Sequence, residues 1–176
     1  MKILILNGSP RLDGNTITLL NQIADNAKAT YKIEFINVCS KKLLGCIACD
    51  KCAENNGNCI LPDDTSDIIN KIVESDMIIF GTPVYWWGMS SQLKVVIDKF
   101  YSSQDKIKGK KIGLVVVGAN ELNDAQYRLI SEQFSCIANY LDLEIVFDEK
   151  VSAYERGEVK SNKAILDKFA NIGKTL

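Results

Sequence analysis

Apolar residues recur along this chain in two alternating rhythms. Continuous runs of four to six stand at Ile3–Leu6, Met77–Phe80 and Ile112–Val117, each short enough for a strand buried on both faces. Lys32–Val38 mixes polar and apolar positions, as a half-exposed strand does, and Leu143–Phe147 is a fifth strand. Between the runs the spacing changes to three and four. Ile17, Leu20, Ile23, Ala24 and Ala27 form one helical stripe, and Ile68, Ile69, Ile72 and Val73 a second. Leu93, Val96, Ile97 and Phe100 make a third, with Lys94 and Asp98 spaced for a surface pair. Ala125–Leu141 carries a fourth, through Leu129, Ile130, Phe134, Ile137 and Leu141, and Ile165, Leu166, Phe169 and Ile172 a fifth. Asp63, Asp64, Thr65 and Asp67 signal a helix start, and a polar crossing at 154–160 leads into the last helix. There is no internal repeat.

Alternating strands and helices imply an α/β protein with a doubly wound parallel sheet, helices on both faces. Five strands suit the order 2-1-3-4-5, which binds ligand beyond the carboxyl ends of the strands where the order reverses. The loops brought there are 8–15, 81–88 and 118–123. The length of 176 residues fits a single domain spanning 1–176, interrupted by a cysteine-rich loop at 39–62 that is too long for a mere connection.

The first loop, Gly8-Ser9-Pro10-Arg11-Leu12-Asp13-Gly14-Asn15-Thr16, joins a strand to a helix N-terminus, where backbone N–H groups and the helix dipole suit a phosphate. Ser9, Arg11, Asn15 and Thr16 would add side-chain donors. The plainer alternative is an ordinary turn with a capping Asn15 or Thr16. A P-loop is excluded, since Gly8 and Gly14 are one residue too far apart and Asn15 replaces its lysine; no G-x-G-x-x-G turn is present. The second loop, Gly81–Gly88, holds three adjacent aromatics, Tyr85, Trp86 and Trp87. They suit either a planar ligand or a subunit interface.

Composition narrows the chemistry. A net charge of −1 offers no field to nucleic acid or an anionic membrane, and no apolar run reaches membrane-spanning length. A cytoplasmic protein is expected, with its six cysteines reduced or ligated. There is no histidine, which removes Ser-His-Asp and Cys-His catalysis and every histidine-containing metal site. Chemistry must come from a cofactor, carboxylates or thiols.

Gly8-Ser9-Pro10-Arg11 with Gly14-Asn15-Thr16, then Pro83-Val84-Tyr85-Trp86 and Leu93-Lys94-x-x-Ile97-Asp98, resembles the NAD(P)H-dependent FMN reductases of the flavodoxin-like fold. The resemblance runs to about Phe100. It implies an FMN phosphate held by Ser9, Arg11, Gly14, Asn15 and Thr16, and an isoalloxazine against Pro83, Val84, Tyr85 and Trp86 with the Gly118 loop closing the other side. It further implies NAD(P)H as electron donor, small-molecule redox acceptors (a flavin, quinone, nitro or azo compound) or a protein acceptor, and a homodimer or homotetramer. Hydride chemistry belongs to the flavin, so no protein acid or base is expected. Lys99 departs from the arginine many members carry, which points to an altered intersubunit contact away from the flavin. A one-electron carrier of the flavodoxin type is the alternative, although such carriers tend to be strongly acidic; a flavin-bearing structural or sensor subunit ranks behind it.

Cys46, Cys49, Cys52 and Cys59 follow the spacing C-x2-C-x2-C-x6-C. Three cysteines at intervals of three with a fourth nearby can wrap a [4Fe–4S] cube, whereas structural zinc normally shows two separated pairs. The spacing also resembles the compact motif of the iron–sulfur flavoproteins, a branch of the same family that exchanges electrons between FMN and a cluster. Packing, or an adventitious disulfide, is the competing account. Cys39 and Cys136 lie outside the run and are expected to be buried.

Overall fold

The computed structural model describes residues 1–176. Five strands, β1 (Lys2–Asn7), β2 (Lys32–Asn37), β3 (Met77–Pro83), β4 (Lys111–Gly118) and β5 (Glu144–Ser152), form one sheet in the order β2-β1-β3-β4-β5. Every pairing is parallel. The helices are α1 (Asn15–Ala27), α2 (Lys51–Glu54), α3 (Thr65–Glu74), α4 (Ser91–Asp98), α5 (Gln104–Ile107), α6 (Ala125–Leu141) and α7 (Lys163–Thr175). The expected flavodoxin-like order is therefore observed. No helix is long and apolar enough to cross a membrane.

The pleat divides each central strand between two cores. Ile3, Ile5, Met77 and Ile79 pack with Leu19, Leu20 and Ile23 of α1 and Phe169 of α7. Leu4, Leu6, Ile78 and Phe80 face the other way, against α3, α4 and α6 through Ile68, Ile72, Leu93, Val96, Ile130 and Phe134. Fully burying each such side chain contributes about 1.5–3 kcal/mol, so a sheet covered on both faces is what apolar runs of this kind select.

Two strands run further than their apolar runs. β3 continues through Gly81-Thr82-Pro83, with Val84 N donating to Val117 O at 2.8 Å. β5 continues through Asp148, Glu149 and Lys150, half-buried on an edge strand where Lys150 pairs with Asp148 and Lys168 with Glu149. Phe147 swings over Gly113 on β4, where a Cβ would stand 2.3 Å from its ring, so only glycine admits that packing. Two expectations about side chains fail. Leu129 and Cys136 of α6 are exposed, because they lie off the stripe that Tyr127, Ile130, Phe134, Ala138 and Leu141 press against the sheet. Cys39 is only half-buried; its Sγ donates to Gly8 O, and burial pushes its thiol pKa up.

Candidate functional site

At the carboxyl ends of β1, β3 and β4 a cleft is lined by Ser9, Arg11, Gly14, Asn15 and Thr16 on one wall and by Pro83, Val84, Tyr85 and Gly118 on the others. The first wall starts from buried Asn7, whose amide donates to Ser9 O and Asn37 Oδ1 and whose oxygen accepts from Ser9 N. Gly8 N extends the ladder to Gly81 O at 2.8 Å; a Cβ on Gly8 would meet Ser90 Oγ at 2.7 Å, so the close approach excludes any side chain. Ser9 Oγ accepts from Arg11 N, which leaves its own proton free to donate outward.

The start of α1 lacks the side-chain cap that three of the other helices carry. Ser90, Asp124 and Asn162 cap α4, α6 and α7 with their side chains. α1 begins at Gly14 with no side-chain cap and no acidic residue in its first turn. Its N–H groups therefore point into the cleft with nothing in the chain to accept from them, which is how a helix receives a phosphate. Asn15 lines the cleft but spends its side chain elsewhere: Nδ2 donates to Glu155 O at 2.8 Å and Oδ1 accepts from Val159 N. It ties α1 to the segment after β5, which leaves one amide N–H and the backbone for a ligand.

That segment supplies residues the sequence alone did not single out. Ala153, Tyr154 and Arg156 complete the lining, so a second guanidinium joins Arg11. Arg156 Nε donates to Asp13 Oδ1 at 2.8 Å, and this contact holds the Asp13 carboxyl below its ordinary pKa. The only available signal was a cation in a polar crossing beyond a strand's carboxyl end.

Pro83, Val84 and Tyr85 stand in the cleft wall as expected, while Trp86 does not line it and is 92% exposed. The reason is a two-residue hairpin turn. Tyr85 and Gly88 exchange hydrogen bonds of 2.9 and 3.0 Å, and Trp86 and Trp87 occupy the corner at φ 47° and 60°. Positive φ at both corners is the type I′ geometry that normally takes Asn-Gly. It turns Trp86 outward, with Trp87 tilted against it at 6.2 Å between ring centroids.

The cysteine loop forms a second, separate feature. Its ends are clasped: Lys42 and Asp64 exchange hydrogen bonds of 2.8 and 2.9 Å, and Leu44 N donates to Asp63 Oδ2 at 2.7 Å. Burial opposes the charge on Asp63, but Thr65, Leu44 N and the Lys99 ammonium outweigh it and keep its pKa below the ordinary value. Cys46, Cys49, Cys52 and Cys59 are free thiols that all line one cavity of about 280 Å³, with Ile47, Ile60, Leu61 and Lys99. No three Cys, Asp or Glu side chains close on a point at metal-ligating range. Lys99, placed by the resemblance at a subunit contact, is instead 3% exposed, with Nζ 3.0 Å from Cys59 Sγ. Its position three residues after buried Val96 was the available signal.

A doubly wound sheet in the order β2-β1-β3-β4-β5, with a cleft at its switch point, defines a flavodoxin-like protein. The description "NADPH-dependent FMN reductase" fits residues 1–143, and the chain belongs to that family. It is 43% identical over 124 residues to an iron–sulfur flavoprotein of Methanocaldococcus jannaschii, covering 68% of this chain and 63% of that protein. It is 36% identical over 100 residues to a putative NAD(P)H-dependent FMN-containing oxidoreductase of Bacillus subtilis, covering 57% of this chain and 52% of the relative. The chain thus matches less than two thirds of the length of either relative. An NAD(P)H:quinone oxidoreductase from Methanothermobacter marburgensis has the same fold, with a TM-score of 0.75 at 14% identity over 99% of this chain and 98% of that one.

Proposed function

We propose that this chain is an FMN-dependent NAD(P)H oxidoreductase, a single domain that passes electrons from a nicotinamide through FMN to a small acceptor such as a flavin, quinone, nitro or azo compound, or to a protein. The observation that carries this reading is the uncapped start of α1, opening on the same cleft as Arg11 and Arg156. The donor set suits a dianionic phosphate: backbone N–H groups, the Ser9 and Thr16 hydroxyls and the Arg11 guanidinium, with Arg156 beside them paired to Asp13. Bound FMN would supply a ring that takes up a hydride and returns electrons to an acceptor. Arg11 and the α1 terminus bind the phosphate, and Pro83, Val84 and Tyr85 exclude water from one side of the ring. Trp86 stands outside that wall, where it can meet a second planar ring or a partner copy in a homodimer or homotetramer.

A second reading is favoured by the shared cavity of the four cysteines: this chain belongs with the iron–sulfur flavoproteins, and Cys46, Cys49, Cys52 and Cys59 hold a [4Fe–4S] cluster. Four thiols, an apolar lining and a buried cation fit an anionic cluster, and a protein partner then becomes the natural acceptor. The test is a titration with FMN and riboflavin, followed by NAD(P)H turnover and a spectrum of anaerobically prepared protein. FMN should bind far more tightly than riboflavin, and turnover should exceed that of a one-electron carrier. Equal affinity for the two flavins removes the first reading. Iron and acid-labile sulfide should be present, and lost in Cys49→Ser with FMN retained; iron-free protein after anaerobic reconstitution removes the second.

A further inference from the structure

The cavity that holds the four cysteines has an asymmetry that their spacing does not reveal. Cys46 and Cys49 are exposed on the outer part of the loop, while Cys59 lies half-buried beside Lys99. Cys59 is also fastened through its backbone, its N–H donating to Ser66 Oγ at 3.2 Å. Nearby, Gly57 at φ 85° sits so close to the 3-10 turn Lys99–Ser103 that a Cβ would stand 2.6 Å from Ser102 O. The inner end of the loop is thus pressed onto the body of the protein where Lys99 emerges.

Lys99 itself has an unusual environment. A buried ammonium costs several kcal/mol unless it meets negative charge. Its carboxylate partner, Asp63, is fully buried but 4.0 Å away, and that carboxylate already accepts from Leu44 N, Thr65 N and Thr65 Oγ1. The short contact of the ammonium is with sulfur, at 3.0 Å. A neutral thiol is a weak acceptor and would repay little of the burial. A metal-bound thiolate would repay much more, because it brings charge to that atom.

We propose that Lys99 is the positioning and potential-setting residue of the cysteine site: it donates to Cys59 Sγ and places a fixed positive charge against an anionic iron–sulfur cluster. The proposal rests on the cluster reading above. A cation in a low-dielectric wall favours the more negative, reduced state. Cys59 is correspondingly the preset ligand, and Cys46 and Cys49 close around the metal afterwards.

The experiment compares wild type, Lys99→Met and Lys99→Arg, each reconstituted anaerobically with iron and sulfide, with Lys168→Met as a remote surface control. Iron and sulfide per chain are measured first, then the midpoint potential by spectroelectrochemistry. Lys99→Met should cut the reduced-to-oxidised ratio at a fixed potential at least tenfold, a shift of about 59 mV downward for a one-electron couple. Lys99→Arg and Lys168→Met should stay near wild type. Iron loss in Lys99→Met with retention in Lys99→Arg also supports the proposal, since charge is then needed to hold the ligand set. An unchanged midpoint in fully loaded Lys99→Met overturns it, as does iron loss from both Lys99 variants. Wild type that takes up neither iron nor sulfide overturns the cluster reading as well, and is recognised before any variant is compared.

Discussion

The switch-point cleft and the cysteine cavity are both made from loops, but they are held in place differently. Every wall of the cleft is fastened to the sheet: Gly8 to Gly81, Val84 to Val117, Ala153 to Gly118, and Asn15 across to Glu155 and Val159. The cysteine loop is fastened at its clasp and along its inner half, with Tyr101 reaching Asp50 between them. A Cβ on Gly45 would meet nothing within 4 Å, and the neighbouring Cys46 and Cys49 are exposed. One site is organised in advance, so binding there loses little conformational freedom. A cluster at the other would have to gather Cys46 and Cys49 from exposed positions, so part of its binding energy would go into ordering the chain.

That contrast can be broken most forcefully at Asp63. Asp63→Ala leaves Lys99 buried without its carboxylate and orphans the donors of Leu44 and Thr65. A destabilisation of about 3–5 kcal/mol is expected by urea unfolding, with FMN affinity in the surviving folded protein close to wild type. Acid should do the same thing more gently. The folded pKa of Asp63 is depressed, so its contribution is complete above the ordinary carboxylate value and disappears as pH falls through the lower folded value. Proteolysis of the cysteine loop should therefore accelerate only below the usual carboxylate range.

The complementary cut is Arg11→Ala. Losing one charge-assisted contact to phosphate should cost about 1.5–3 kcal/mol, roughly ten- to hundredfold in FMN affinity by fluorescence titration. Iron content after reconstitution should not change. If the cysteine site emptied together with the flavin, the two regions would not be independent.

The smallest expected effect sharpens the comparison at the edge of the cleft. Trp86 is almost fully exposed and sits at positive φ, a strain of about 1 kcal/mol or more for a non-glycine residue. Trp86→Gly should raise the melting temperature by about 2–4 °C while impairing whatever stacks outside the flavin. A lower melting temperature would mean that the ring packs against something in the native assembly.

Much of this organisation could be read directly from residue patterns. The central strands announced themselves because burial on both faces demands unbroken apolar runs, and the helices because one face must be apolar. The second half of β5 did not, since Asp148, Glu149 and Lys150 on an edge strand look like a loop. The strand-to-helix geometry of the first loop was legible from its sequence, but the tie that Asn15 makes to the far segment was not, because its partners lie more than a hundred residues away. Arg156 escaped notice for the same reason. Trp86 was misplaced because adjacency in sequence says nothing about which way a corner residue points. Lys99 was tied to a subunit contact by resemblance alone, and its burial beside Cys59 depends on a loop forty residues earlier that its local sequence does not announce.

The clasp between Lys42 and Asp64 has a consequence for how such a chain can change over time. Because the two strands of backbone entering and leaving the cysteine segment are hydrogen-bonded side by side, the sheet does not register what lies between them. Doubling the length of a flexible segment adds only about 0.6 kcal/mol of closure entropy. The outer stretch around Gly45 is therefore a cassette: descendants can lengthen or shorten it, and the flavodoxin-like body, which touches only the inner end, need not be redesigned.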